Sequence, residues 1–421
     1  SKLRLERSIS VALSLLLARC VSFKLSSRSI QLVPRTLIVL TIFTIVLYVL
    51  SFCFDWSDDD LLRFREVFDE DLRYANTTKK ILFWTKMFSS ETFYMGTGYI
   101  ARDCPVNNCY ATNNRNVANL TDFDAVLFHG NDLNLEDLPK NRSPRQWYVF
   151  VNLESPANRP MTSYFYEDFF NITMTYRLDS DIVWTYAVVK DARTNVNVAP
   201  SRNVNWSDRT IADDVDASLS KTIRGKTKPI IWFVSNCMAK SGREEYVNEL
   251  SKHIPVDVYG KCGNMFCPRN EDCFARVAEP DYFFYLSFEN SLCDDYVTEK
   301  LYNSLRYNVV PIVYGGANYS RYAPPRSYID VFDFDTPKSL AEYLKKLIKN
   351  PRKYSEYFAW KTYYKIGDGV QQGICNLCEF LHKQKEPRTQ NFLSDWFSRS
   401  KCHLQEFLRN HSYLTGSIFK D

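Results

Sequence analysis

Residues 282–315 read YFFYLSFENSLCDDYVTEKLYNSLRYNVVPIVYG. The first seven carry no charge and are mostly aromatic, the mark of a strand buried on both faces; 296–307 has helical spacing, and 309–314 is a second apolar run of strand length. Strand, helix and strand in that order form a βαβ unit, whose strands are parallel and whose sheet is covered by helices. Working outward, the same alternation continues: a strand at 229–235, a helix at 242–253, a strand at 256–259, and a helix at 338–349 with Leu340, Tyr343, Leu344 and Leu347 on one face. Upstream, short apolar runs at 81–84, 125–129, 147–153 and 182–189 are spaced by polar stretches, and the polar segment 203–228 lacks periodicity. The expectation is an α/β protein of two Rossmann-like halves facing a cleft and joined by that connector.

The chain has 421 residues, enough for two domains and accessory segments, and is 45% hydrophobic and 15% aromatic with only 13 Gly, which excludes disordered and collagen-like classes. Its net charge of +4 is misleading. Residues 1–35 hold seven basic side chains against one acid, leaving the remainder slightly acidic, so no basic face is available for nucleic acid. Residues 36–54, TLIVLTIFTIVLYVLSFCF, are uncharged and long enough to cross a bilayer as one helix. Basic residues before this run, and Asp55, Asp58, Asp59 and Asp60 after it, predict a type II anchor with the N-terminus cytosolic. A cleaved signal peptide is the weaker reading, because the only earlier apolar run, 8–17, lacks the right flanks.

A lumenal address fits the glycosylation sequons at Asn76, Asn119, Asn171, Asn205, Asn318 and Asn410, with a seventh at Asn141 weakened by Pro144. Ten of the 12 Cys lie beyond the span, an even number suited to disulfides. Cys104 with Cys109, and Cys375 with Cys378, are close enough to pair locally, while Cys237, Cys262, Cys267, Cys273, Cys293 and Cys402 are not assignable from spacing. A zinc site built on Cys375, Cys378, His382, Cys402 and His403 is the competing reading, and it lacks a second clean doublet. The expected organisation is a cytosolic tail (1–35), anchor (36–54), stem (55–79), first domain (80–210), second domain (211–365) and a disulfide-containing extension (366–421).

Nucleotide-loop, zincin and serine-hydrolase motifs are missing, and five His residues leave carboxylates as the favoured proton acceptors. Open parallel sheets bind ligands beyond the carboxyl ends of their strands. Glu154, following the strand at 149–153 and preceding Ser155-Pro156, suits a general base; Glu289, after the strand at 282–288, is a rival. Lys300 at a helix start, beside free backbone N–H groups, suits a phosphate, and Arg243 at the neighbouring helix start can add a two-pronged contact. Each has an ordinary alternative: a structural hydrogen bond for Glu154, a surface ion pair for Lys300, and local pairing with Glu244 or Glu245 for Arg243. Asp179-Ser-Asp181 and Asp333-Phe-Asp335 match the short Asp-x-Asp metal pattern, which recurs by chance.

Five blocks occur in order: Cys104 to Cys109 with Ala125-Val-Leu-Phe-His129; Asn152-Leu-Glu-Ser-Pro156; Thr175-Tyr-Arg-Leu-Asp-Ser-Asp181; Trp232-Phe-Val-Ser-Asn236; and Phe284-Tyr-Leu-Ser-Phe-Glu-Asn-Ser291 with Asp295-Tyr-Val-Thr-Glu-Lys300 and Val310-Pro-Ile-Val-Tyr-Gly315. From about residue 80 to about 380 the chain resembles the α1,3-fucosyltransferase family. The resemblance implies a GT-B fold and inverting transfer of fucose from GDP-fucose to a GlcNAc hydroxyl. It further implies Glu154 as base, Arg243 and Lys300 on the diphosphate, Asn290 and Tyr296 near the nucleotide, and Glu299 on the ribose. No metal is then required, with Mn²⁺ at most a stimulant. The segments 314–319 and 373–380 look closer to the invertebrate and plant core enzymes, which implies N-glycoprotein acceptors and a Golgi membrane location. Lewis-type transfer to antennal GlcNAc is the alternative, and a membrane-anchored glycan-binding protein without turnover is a reading of another class. Oligomeric state is left open.

Overall fold

The computed structural model describes residues 77–160, 168–207, 217–268, 270–384, 387, 393–398 and 402. The proposed tail and anchor and nearly all of the stem, Asn76, Asn410 and the boundary expected at 210/211 lie outside these residues. Among the described residues no helix is long and apolar enough to cross a membrane.

The first half is a seven-stranded sheet built from β1 (Lys79–Phe83), β2 (Gly98–Tyr99), β3 (Cys109–Thr112), β4 (Ala125–His129), β5 (Trp147–Asn152), β6 (Ile172–Thr175) and β7 (Ile182–Val183). Their order is β2-β3-β1-β4-β5-β6-β7, parallel throughout except for the β2–β3 pair. Every residue of β4 and β5 is buried, because helices and loops cover both faces and neither strand needs a polar side. Alternate residues feed two cores: Leu127, Val149 and Val151 on one face, Val126, Phe128, Tyr148 and Phe150 on the other.

The run expected as one strand at 182–189 is divided. β7 ends at Val183, and β8 (Ala187–Asp191) turns away to pair with β9 (Asn197–Ala199) in a small antiparallel sheet. Beyond helix α1 (Ala217–Gly225), the second half is an all-parallel sheet of β10 (Lys228–Phe233), β11 (Val256–Tyr259), β12 (Tyr282–Phe288), β13 (Val310–Tyr314) and β14 (Ile329–Asp330), ordered β11-β10-β12-β13-β14. On one face α2 (Arg243–Ser251) packs Tyr246 and Leu250, and α4 (Pro337–Ile348) packs Leu340 and Leu344, against Trp232, Leu286 and Ile312. The start of α4 is fixed by a reciprocal Thr336–Ser339 capping box and Pro at its first turn. On the other face α3 (Glu299–Arg306) packs Leu301, Tyr302 and Leu305 against Val313. This helix starts three residues later than the spacing predicts, so Tyr296 lies in the turn before it.

The chain then returns. β15 (Tyr364–Asp368) pairs antiparallel with β8, from Tyr364↔Asp191 to Asp368↔Ala187. α5 (Gly369–Lys383) buries Ile374, Leu377 and Leu381 in the core of the first sheet. The segment expected as a separate extension from 366 is therefore part of the first half. Its cysteines correct the expected local pairing: the disulfides are Cys104–Cys375 and Cys109–Cys378, with Cys237–Cys262, Cys267–Cys273 and Cys293–Cys402 completing the set. Spacing misleads here because Cys375 and Cys378 share a helical face laid along β3, and each finds its partner across that contact. With these thiols consumed, Cys109, Cys378 and His382 lie together but offer no thiolate, and the zinc reading loses its ligands. His382 instead meets the carbonyl of Asn108 at 3.0 Å.

Candidate active site

The carboxyl ends of β5 and β12 meet. After β5, Asn152 Oδ1 accepts the Glu154 N–H at 2.8 Å, which turns the chain and sends the half-buried Glu154 toward the second sheet. Its Oε1 accepts from the Ser155 N–H at 3.2 Å, from Asn158 Nδ2 at 3.3 Å and from the Tyr296 hydroxyl. Oε2 accepts no hydrogen bond among the described residues. Three donors on one oxygen fix the carboxylate and leave the other oxygen for an incoming hydroxyl, the arrangement a general base needs.

Across the junction, Glu289 leaves β12 fully buried. Oε1 accepts from the Thr298 N–H at 2.8 Å, Oε2 from Thr298 Oγ1 at 2.8 Å, and Lys300 Nζ lies 3.3 Å away. Burial raises the Glu289 pKa against the pull of Lys300. This closed network makes Glu289 a fastening for the first turn of α3 and removes it as the rival base. Lys300 Nζ also contacts Thr298 Oγ1 at 2.8 Å and Glu299 Oε1 at 3.3 Å. Burial, which alone would lower the Lys300 pKa, is outweighed by Glu289 and Glu299, so the ammonium keeps its charge and its pKa is raised. The Glu299 pKa is lowered, because Lys300 overcomes the effect of burial.

Arg243 is placed differently from expectation. It is 2% exposed; Nη1 donates to the Phe288 carbonyl at 2.7 Å, Nη2 to the Asn236 carbonyl at 2.8 Å, and Nε to Glu244 Oε1 at 3.1 Å. The guanidinium binds together the ends of β10 and β12, makes the local pairing with Glu244 that was its ordinary alternative, and lies within electrostatic reach of Lys300. Ser241, which donates its hydroxyl to the Glu289 carbonyl at 2.7 Å and its N–H to the Asn290 carbonyl at 3.1 Å, fixes the same turn. Asn290 is half-buried, and Tyr296 is 1% exposed with its hydroxyl on Glu154.

Residues that motif reading missed join the two halves. Ser155 Oγ donates to Ser291 Oγ at 2.8 Å and Lys240 Nζ reaches the Ala157 carbonyl at 2.7 Å, while within the first half Tyr186 donates to the Leu153 carbonyl at 2.7 Å. Their only sequence signal is proximity to strand ends. His129 at the end of β4 is fully buried, with Nδ1 2.6 Å from Asp132; burial lowers its pKa despite that carboxylate. Among the described residues, two cavities lie near strand ends, and neither is lined by Glu154, Tyr296 or Lys300. One of about 380 Å³ lies beyond β1 and β4, lined by Trp84, Lys86, Glu91, Arg115, Asp132 and Asp137. The other, about 450 Å³, lies beyond β10 and β11 beside α3, lined by Phe233, Ser235, Tyr259, Asp272, Asn303 and Arg306.

Among the sequons, Asn119, Asn141, Asn205 and Asn318 are exposed. Asn171 is not: it is 4% exposed, and its Oδ1 accepts the Tyr148 N–H at 2.7 Å inside the sheet, so it leaves the set of candidate glycan sites. Of the Asp-x-Asp pairs, Asp179 is held by Arg177 and Trp396, and Asp181 accepts both the N–H and hydroxyl of Thr173 at 2.9 Å.

Two family models match, fucosyltransferase N-terminal over residues 76–187 and glycosyltransferase family 10 (fucosyltransferase) C-terminal over 223–396. The chain is 36% identical over 416 residues to alpha-(1,3)-fucosyltransferase C of Drosophila melanogaster, covering 94% of this chain and 96% of that protein. It is 34% identical to glycoprotein 3-alpha-L-fucosyltransferase A of the same organism, covering 78% of this chain and 62% of that protein. It is 32% identical to 4-galactosyl-N-acetylglucosaminide 3-alpha-L-fucosyltransferase 9 of Rattus norvegicus, covering 81% and 88%. A solved α1,3-fucosyltransferase with GDP-fucose aligns at 15% identity and a TM-score of 0.46, covering 74% of this chain and 93% of that one. The chain belongs to glycosyltransferase family 10, the fucosyltransferases. It is a glycosyltransferase enzyme.

Proposed function

We propose that this enzyme is of the GT-B type and transfers L-fucose from GDP-fucose, with inversion, to the 3-hydroxyl of the Asn-linked core GlcNAc of N-glycoproteins. The observation that carries the reading is Glu154, clamped through Oε1 and open at Oε2 where the carboxyl ends of β5 and β12 meet. In this mechanism Oε2 takes the proton of the acceptor hydroxyl as its oxygen attacks the anomeric carbon from the face opposite GDP. Lys300, whose ammonium keeps its charge, stabilises the charge gathering on the departing diphosphate. The core acceptor is favoured by the likeness of 314–319 and 373–380 to core enzymes. The relatives' names include both acceptor classes. A lumenal Golgi site behind an anchor at 36–54 completes the reading.

The test incubates the purified protein with GDP-fucose and a defined N-glycopeptide and reads the linkage by mass spectrometry. Fucose on the innermost GlcNAc is expected, with Glu154→Gln lowering turnover about 10²-fold or more. Transfer only to N-acetyllactosamine establishes the Lewis-type reading, and glycan binding without GDP release establishes the non-catalytic one. Turnover in EDTA is expected to persist; its loss would show a required metal.

A further inference from the structure

We propose that the loops after β10 and β11 form an apolar rim, carried by Met238 and Phe266, that holds the polypeptide beside the glycosylated asparagine of the acceptor. The inference rests on the core-GlcNAc reading: a sugar bonded directly to an Asn side chain cannot reach the base without bringing its protein to the edge of the site.

Among the described residues the two most exposed large apolar side chains are Met238, at 91%, and Phe266, at 77%. They stand on loops joined by one cross-link. Cys237, next to Met238, is bonded to Cys262, four residues before Phe266, and Met265 beside Phe266 is exposed as well. A single exposed hydrophobe needs no explanation, whereas the two most exposed ones on loops stapled together mark a surface for a partner.

The loops are built to be stiff. Gly260 has φ 105°, and a side chain there would come within 2.4 Å of the Val234 carbonyl; at Gly263 one would come within 2.0 Å of the Val258 carbonyl. Glycine at both positions lets the second loop lie against the ends of β10 and β11. The Gly260 N–H donates to the Met265 carbonyl at 2.9 Å, Met265 pairs with Tyr259 beside β11, and the Cys267–Cys273 disulfide follows directly after Phe266. Apolar groups presented on a fixed backbone lose little freedom when a ligand covers them.

The place of the rim selects its occupant. Lys240, two residues after Met238, reaches the Ala157 carbonyl at 2.7 Å, three residues after Glu154, and Ser241 donates to the Glu289 carbonyl at 2.7 Å. Met238 thus stands on the loop that closes against the Glu154 turn, at the carboxyl ends of the strands, where the acceptor's protein must pass. A second copy of the chain is a poor match: side chains of this size and number cover on the order of 400 Å², about half of the roughly 800 Å² per partner of a stable interface. A few peptide residues need no more, and the flexible methionine suits neighbours of varied sequence.

The experiment uses the full chain and three acceptors bearing one N-glycan: a glycopeptide with apolar residues beside the glycosylated Asn, the same with Gly and Ser in their place, and glycosyl-asparagine without further peptide. Acceptor KM of the wild type is expected to be about 10-fold lower on the first than on the other two. Met238→Ser/Phe266→Ser is expected to erase that difference, leaving melting temperature unchanged and kcat, donor KM and transfer to glycosyl-asparagine within twofold. Met238→Leu/Phe266→Leu should retain it. Equal acceptor KM on all three in the wild type, or an advantage that survives the Ser variant, overturns the inference. So does a Ser variant that also loses kcat on glycosyl-asparagine, which makes the loops a support for the cleft. Liposome binding or dimerisation that the Ser variant abolishes with acceptor kinetics unchanged overturns it in favour of a membrane or a second copy. Transfer to N-acetyllactosamine alone, with nothing on the innermost GlcNAc of any acceptor, removes the core reading itself, which separates failure of the function from failure of this inference.

Discussion

Two disulfides tie α5 to the β3 region, and their interlacing makes a quantitative prediction. Cys104–Cys375 closes a loop of 271 residues and Cys109–Cys378 one of 269. In the chain-entropy treatment either alone restricts the unfolded chain by about 5.5 kcal/mol. Once one is closed, the other adds only a ring of about eight residues, five from Cys104 to Cys109 and three from Cys375 to Cys378, worth about 2.5 kcal/mol. Removing either pair as Cys104→Ala/Cys375→Ala or Cys109→Ala/Cys378→Ala should therefore cost about 2.5 kcal/mol, and removing both about 8 kcal/mol. The loss on double removal exceeds the summed single losses by about 3 kcal/mol, because each bond covers for the other. Urea unfolding of the four proteins, followed by tryptophan fluorescence, measures this directly. With two short local loops each double variant would already break both bonds, costing about 4 kcal/mol, and the fourfold variant would lose no more, so losses that do not grow on combination would refute both the pairing and the reasoning.

Three further outcomes are expected. Glu289→Ala should destabilise by about 3–5 kcal/mol, since it strands Lys300 and the Thr298 donors, whereas Glu289→Gln, which keeps the acceptor oxygen, should cost less; denaturant midpoints decide. Asn171 should carry no glycan in a glycopeptide map, and Asn171→Ala should lose about 1–3 kcal/mol by leaving the Tyr148 N–H unpaired. His129 resists protonation in the folded state, so below its ordinary pKa of 6.5 the unfolded chain takes a proton that the folded one refuses. Its contribution is complete above pH 6.5 and is lost as pH falls from there toward its lowered folded value; His129→Gln should flatten this acid-side decline in unfolding free energy.

The parallel sheets were legible because a strand buried on both faces must be apolar at every position: β5 and β12 announce themselves as uninterrupted runs. Helix α4 was legible from periodicity. The seam was only half legible. Strand-end logic led to Glu154, Lys300 and Glu289, but it could not tell which carboxylate is enclosed, because the Thr298 hydroxyl that occupies Glu289 lies nine residues away across a turn. Arg243 misled for a related reason: a guanidinium at a helix start meets either a ligand or nearby carbonyls, and here the carbonyls of Phe288 and Asn236 were close enough to take it. Cysteine pairing and the return of α5 depend on contacts between residues some 270 positions apart, which local spacing does not encode.

The pairing of β15 with β8 carries a mechanical consequence. The outgoing and returning stretches of the chain run side by side, bonded to each other over five residues on each strand within a three-stranded sheet completed by β9, so they are not independent threads. The two crossings therefore resist being drawn apart separately, since pulling either strand away would cost the hydrogen bonds of both.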